Sequence, residues 1–144
     1  MSAQKTLADT GLFIALFDPD DTLHARAVAF MRDYRGKLFT TWQVLTEAMA
    51  MIPGRHQDRF LEWLKDCSLA GSLEIVCTEA TDLDRARAVI GKYRDLPMDF
   101  ADVSIYLLAL RTGITQVASF DARDFSIYRL PGNRRFVNLL ESVR

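Results

Sequence analysis

Cysteine is nearly absent from this 144-residue chain, no sign of charge is in excess, and no apolar run is long. The two cysteines, Cys67 and Cys77, stand ten apart with no paired motif. That spacing excludes a disulfide framework and a zinc pattern. Both have apolar neighbours, so buried core thiols are expected. Lys plus Arg number 18 and Asp plus Glu 19, a formal net charge of -1. A globally basic, histone-like mode of nucleic-acid binding is excluded, although a local basic patch is not. No apolar run approaches membrane-spanning length. Gly11–Phe17 is apolar, but Asp9 interrupts the stretch before it and the acidic Asp18-Pro-Asp-Asp21 follows it, so a signal peptide is not indicated and a cytoplasmic protein is expected. Internal repeats, low-complexity tracts and linkers are also missing. What remains, 49% hydrophobic and 26% charged residues, is the composition of an ordinary folded domain. A single domain over residues 1–144 is expected.

Short apolar runs alternate with longer amphipathic ones, which argues for an α/β fold with a mainly parallel sheet. Strands are expected at Lys5–Ala8, Leu38–Thr40, Leu73–Cys77 and Ile114–Ser119, with a fifth at Phe136–Leu139. Leu12–Phe17 reads equally as helix or as more strand. Helices are expected over about Leu23–Tyr34, Thr41–Ile52, Gln57–Leu69, Thr81–Tyr93 and Asp99–Arg111, bounded by cap residues and by Gly36, Pro53-Gly54, Pro97 and Gly113.

Most acids need no special account. Asp82 and Asp84 open a helix and belong on a solvated surface. Four acids are different. Asp102 lies within Phe100-Ala-Asp-Val-Ser-Ile105, on a helix face shared with Ile105, Tyr106 and Ala109. A lone carboxylate there costs several kcal/mol unless it is compensated. Asp99 is one turn earlier and points the same way. Glu47 sits in Val44-Leu-Thr-Glu-Ala-Met-Ala-Met51, Asp9 between Leu7-Ala8 and Gly11-Leu-Phe-Ile14, and Asp121 directly after a strand. Strand ends and helix starts share one edge of a parallel sheet, so these acids can converge there. Gathered, they repel unless a hard divalent cation such as Mg2+ or Mn2+ joins them. Blander roles stay open for the others but are hardest to find for Asp102: Asp9 and Asp99 as helix caps, Asp121 as a turn residue, Glu47 as the partner of a distant arginine.

The stretches Ala8-Asp-Thr-Gly-Leu-Phe-Ile-Ala-Leu16, Asp21-Thr-Leu-His-Ala-Arg-Ala27, Thr40-Thr-Trp-Gln-Val-Leu-Thr-Glu47, Leu96-Pro-Met-Asp-Phe-Ala-Asp102 and Ser119-Phe-Asp-Ala-Arg-Asp-Phe125 occur in this order. Together they resemble a PIN domain of the VapC-type toxin ribonucleases of toxin–antitoxin pairs. The resemblance implies a three-layer α/β/α sandwich with a sheet of four to five strands. It implies a catalytic and metal-binding quartet of Asp9, Glu47, Asp102 and Asp121, with Asp99 as a further acid. Thr10 and Ser119 are implied as supporting hydroxyls. The implied reaction is Mg2+-dependent (or Mn2+-dependent) cleavage of RNA, with a metal-activated water attacking the phosphodiester in line. Glu47 would hold a second ion or orient that water. Implied partners are a small antitoxin and a second copy in a homodimer; Trp42, Met49, Phe60 and Trp63 serve either such contacts or the core.

An RNA substrate calls for positive surface. Residues 122–144 hold Arg123, Arg129, Arg134, Arg135 and Arg144 against Asp124 and Glu141, a local +3, with Arg111 and Lys92 nearby additions. Phe125 reads as core and Tyr128 as a base-stacking candidate. His24 is expected to face solvent. Two rivals remain. Ile14-Ala-Leu-Phe-Asp-Pro-Asp-Asp-Thr22 is similar to the first motif of haloacid-dehalogenase-type phosphatases, with Asp18 as nucleophile and Asp20 as acid. The other is a non-catalytic PIN-like RNA-binding module.

Overall fold

The computed structural model describes residues 3–141. Its strands are β1 (Lys5–Ala8), β2 (Lys37–Thr41), β3 (Leu73–Val76), β4 (Gln116–Ala118), β5 (Arg129–Leu130), β6 (Arg134–Arg135) and β7 (Val137–Asn138). Its α-helices are α1 (Thr10–Phe17), α2 (His24–Asp33), α3 (Trp42–Met51), α4 (Gly54–Ala70), α5 (Leu83–Lys92), α6 (Phe100–Thr112) and α7 (Ala122–Ile127). Five strands form one sheet in the order β3-β2-β1-β4-β7, every pairing parallel. Strands β5 and β6 pair antiparallel as a separate hairpin. Helices flank the large sheet in an α/β/α arrangement, the layering expected for alternating short apolar and long amphipathic segments. Among the described residues no helix is long and apolar enough to cross a membrane.

The central strand explains the architecture. Thr6, Leu7 and Ala8 of β1 are all buried, as a strand covered on both faces must be. Helix α6 is buried at every position from Ala101 to Ala109. Apart from Asp102 and Ser104 that span is apolar all round, because neighbours surround it: β1, β2, α3 and α5. Gly113 ends it with φ 76°, a left-handed conformation that costs glycine little. Phe13 and Phe17 of α1 pack on Phe60 and Trp63 of α4 with ring centroids 5.0–6.2 Å apart. Phe60 and Trp63 therefore belong to the core, whereas Trp42 is exposed.

The chain corrects several expectations. Leu12–Phe17 is helix, and α1 begins at Thr10. Asp18 consequently ends a helix and not a strand, and Asp20 is exposed and paired with Arg55 at 3.3 Å. The strand that a haloacid-dehalogenase motif requires is absent there, so that reading fails. Cys77 is exposed and Cys67 half-buried, against the expected core thiols. Cys67, near the end of α4, packs only partly against the core, and Cys77 lies one residue past the end of β3, beyond the sheet's cover. Asp82 is buried, not solvated. It closes a capping box with Glu79 and meets Arg111 at 3.5 Å, replacing the expected Thr81 cap. His24 is half-buried, its Nδ1 2.7 Å from the Ala15 carbonyl.

Gly36 offers a direct stability test. A Cβ there would run into the Gln4 carbonyl and the Tyr34 phenol. The Tyr34 hydroxyl is itself engaged, donating to Thr6 Oγ1 at 2.7 Å. Gly36→Ala is expected to cost about 1–3 kcal/mol by overpacking, read as a lowered denaturation midpoint with unchanged m-value.

Candidate active site

Strand β1 runs at the centre, with β2 on one side and β4 on the other, so the chain reverses its direction of travel between β1 and β4. Ligand sites of parallel sheets lie at such a switch point, outside the carboxyl ends of the strands. Asp9 is the first residue past β1, and its N–H donates to the Ala118 carbonyl at the end of β4, 3.2 Å away. It occupies the N-cap position of α1, yet its side chain makes no capping bond. Instead Asp9 Oδ2 accepts from the Ser119 hydroxyl at 2.8 Å. The same Ser119 oxygen accepts from the Asp121 N–H at 2.9 Å, so one hydroxyl ties the two strand-end acids together. Ser119 is held in turn by Asn138 of β7. The Asn138 amide accepts from the Ser119 N–H at 3.1 Å and donates to its carbonyl at 2.8 Å.

Asp102 enters from α6. Asp99, at the N-cap, accepts from the Asp102 N–H at 2.8 Å, so the capping role considered for Asp99 is real. Asp102 Oδ2 accepts from the Tyr128 hydroxyl at 3.2 Å. Glu47 enters from the middle of α3, where Thr10 Oγ1 donates to its Oε2 at 3.3 Å. Asp121 caps α7, accepting from the Asp124 N–H at 3.3 Å. Asp102, Asp121 and Asp124 present carboxylate oxygens that all lie within 4.8 Å of one another.

The electrostatics show one cluster. Burial first, then repulsion from Asp9, Asp99 and Asp121, raises the Asp102 carboxyl to about 8, with the Tyr128 bond opposing the rise. Asp9 rises to about 6, chiefly through burial, with the Ser119 bond opposing and Asp99 and Asp121 adding repulsion. Glu47 is raised by burial and by Asp99. Asp124 is raised by burial and by Asp121. Among the described residues no Lys or Arg forms an ion pair with Asp9, Glu47, Asp99, Asp102, Asp121 or Asp124. Glu47 therefore lacks the distant arginine partner considered for it. The donor set is oxygen only, hard and anionic, which fits Mg2+ or Mn2+.

A family model described as PIN domain matches residues 6–131. The chain belongs to the PIN domain family. This PIN domain is 26% identical over 131 residues to Ribonuclease VapC26 of Mycobacterium tuberculosis (strain ATCC 25618 / H37Rv), covering 90% of this chain and 96% of that protein. Its fold is similar to the crystal structure of Mycobacterium tuberculosis VapC20, described there as a sarcin-ricin loop cleaving toxin. The TM-score is 0.70 at 18% identity, over 83% of this chain and 92% of that one.

Two residues of the PIN domain site lie outside the expected set. In the sequence Asp124 counts only as a charge offsetting the arginines. A helix starting at Asp121 is the missing signal, because it puts Asp124 one turn on, on the same side. Tyr128 is fully buried, which removes it from base stacking, and Phe125 is core as expected. The expected basic surface is thinner than the composition promises. The Arg129 guanidinium turns back on the carbonyls of Ser126, Ile127 and Tyr128. Arg111 is tied to Asp82 and the Cys77 carbonyl, and Lys92 to the Arg129 carbonyl. Arg123, Arg134 and Arg135 remain exposed, and Arg144 lies outside the described residues.

Proposed function

We propose that this PIN domain is a metal-dependent endoribonuclease acting as the toxin of a VapC-type toxin–antitoxin pair. The observation that carries the reading is the convergence of Asp9, Glu47, Asp99, Asp102, Asp121 and Asp124 at one sheet edge, where among the described residues no Lys or Arg is ion-paired with any of them. The similarity to Ribonuclease VapC26 supports the choice of RNA. Mg2+ or Mn2+ would be held by Asp9, Asp102 and Asp121, with Asp124 and Asp99 beside them, and would supply an acidified water for in-line attack on phosphorus together with charge neutralisation at the leaving oxygen. The chain's own residues then have distinct tasks. Ser119 orients Asp9 and fixes the spacing to Asp121. Thr10 steadies Glu47, which is half-exposed and orients the attacking water. Arg123, Arg134 and Arg135 steer the RNA backbone toward the acids, with Arg129, whose Nη1 is turned onto backbone carbonyls, adding charge. The reading takes residues 1–144 as one domain in the cytoplasm. It includes a small antitoxin that covers the site and a homodimer.

The test is cleavage of single-stranded RNA by the purified chain. Cleavage is expected with millimolar Mg2+ or Mn2+, none with EDTA, and full recovery when the ion is restored. Cleavage that survives EDTA would sink the metal reading. RNA binding without cleavage in any divalent ion would favour the non-catalytic PIN-like module.

A further inference from the structure

Tyr128 has a completely buried side chain, yet its hydroxyl is aimed at the site, where it donates to Asp102 Oδ2. Its ring is fixed by edge-on packing against Tyr93 and Phe125, at 5.1 and 5.3 Å between centroids. The next peptide is fixed as well. The Arg129 N–H donates to the Tyr93 hydroxyl at 2.6 Å. The Arg129 carbonyl accepts from the Tyr106 hydroxyl and from Lys92 Nζ. Tyr106 lies on α6 one turn beyond Asp102, so the two share a helix face. The path is therefore closed. It runs from α6 through Tyr106 to the Arg129 peptide, back one residue to Tyr128, and from Tyr128 to Asp102 on α6 again.

We propose that Tyr128 is a positioning residue for Asp102, which presents one carboxylate oxygen to the phenol and leaves the other for a divalent ion. The inference rests on the metal-dependent reading of this site. A phenol donating to a carboxylate makes a charge-assisted bond that restricts rotation about the last torsion of the side chain. Asp9 has the equivalent support from Ser119, so each of the two buried acids carries one hydroxyl donor. The closed path matters because Tyr128 follows a six-residue helix and lies outside regular structure; the clamp on the Arg129 peptide supplies the rigidity that a strand or long helix would give.

The experiment is a titration of the full chain with Mn2+, followed by calorimetry, alongside thermal unfolding in EDTA. Tyr128→Phe keeps the ring and removes the donor. It is expected to weaken Mn2+ binding about 10–100-fold, the usual cost of losing a group that orients a metal ligand, with the unfolding midpoint in EDTA shifted by no more than about 3 °C. Tyr106→Phe, which loosens the clamp but leaves the phenol on Asp102, is expected to weaken binding by a smaller factor. Tyr34→Phe removes a comparable hydroxyl far from the acids and is expected to leave Mn2+ affinity unchanged. Wild-type affinity in Tyr128→Phe overturns the inference while the metal reading stands. The same loss in Tyr34→Phe also overturns it, since the effect would then be a general consequence of missing hydroxyls. Failure of the wild-type chain to bind Mn2+ overturns the metal reading, and the inference falls with it.

Discussion

Asp102→Asn is expected to abolish RNA cleavage, by roughly 10³-fold or more, equivalent to about 4 kcal/mol of transition-state stabilisation, while the protein folds normally. Asn has the shape of Asp, and its carbonyl oxygen can still accept from Tyr128. What disappears is the charge at the most repelled position of the cluster, along with an anionic oxygen that a hard cation needs. The stability effect runs the other way. Removing a buried, uncompensated acid relieves repulsion with Asp9, Asp99 and Asp121, so the variant is expected to melt at a higher temperature than wild type above pH 8 in EDTA. Loss of activity with gain of stability separates a role in the site from damage to the fold. Asp84→Asn, an exposed acid paired with Arg87 on its own helix, serves as the control and is expected to leave cleavage unchanged and to lower stability, not raise it, by at most about 1 kcal/mol. A wild-type cleavage rate in Asp102→Asn would remove Asp102 from the chemistry.

The parts of this molecule that can be read from the chain are those where local chemistry contradicts its surroundings. Asp9 and Asp102 stand out because carboxylates sit among residues that bury themselves, and the structure buries both. Glu47 stands out for the same reason on α3. Strands β1, β2 and β3 are visible as apolar runs between turn signals, and α6 as a long apolar helix between Asp99 and Gly113. Other features depend on neighbours far away in sequence. Helix α1 is too short and too apolar for its periodicity to separate helix from strand; only packing on α4 decides. The α7 helix and the β5–β6 hairpin are too brief to leave a pattern. Asp124 becomes part of the site only once α7 exists, and Tyr128 only once a contact spanning 26 residues has formed. The arginines err in the opposite direction. A count of charges cannot show that Arg129 and Arg111 turn part of each guanidinium back onto the protein itself.

The metal-free protein is expected to lose stability as pH rises, and Mg2+ to restore it. Asp9 and Asp102 carry folded-state values of about 6 and about 8 against 3.8 in the unfolded chain. Both are raised, so between these limits the folded state holds protons that the unfolded state has released. Stability then falls with pH. The contribution of these two groups is fully present below about pH 4. The Asp9 share is gone once pH passes 6, and the Asp102 share once pH passes 8. Asp9 is almost completely buried and Asp102 largely so, and solvent screening trims the Asp102 share more than the Asp9 share. Each tenfold fall in proton activity across these windows removes about 1.4 kcal/mol per carboxyl. Between pH 5 and pH 9, and allowing for their mutual interaction, the loss is on the order of 5 kcal/mol. For a chain of this size that is roughly 10–20 °C in the unfolding midpoint over the same range in EDTA. A bound divalent ion favours the ionised carboxylates and couples its affinity to their deprotonation, so millimolar Mg2+ should flatten the profile from the alkaline side. The Asp102→Asn variant should retain only the part of the slope, below pH 6, that belongs to Asp9. Melting profiles across this range, with and without Mg2+, measure all three behaviours. An EDTA profile that stays level from pH 5 to pH 9 would mean that the two carboxylates are not held together as uncompensated charges, and the case for a cation at this edge would lose its physical basis.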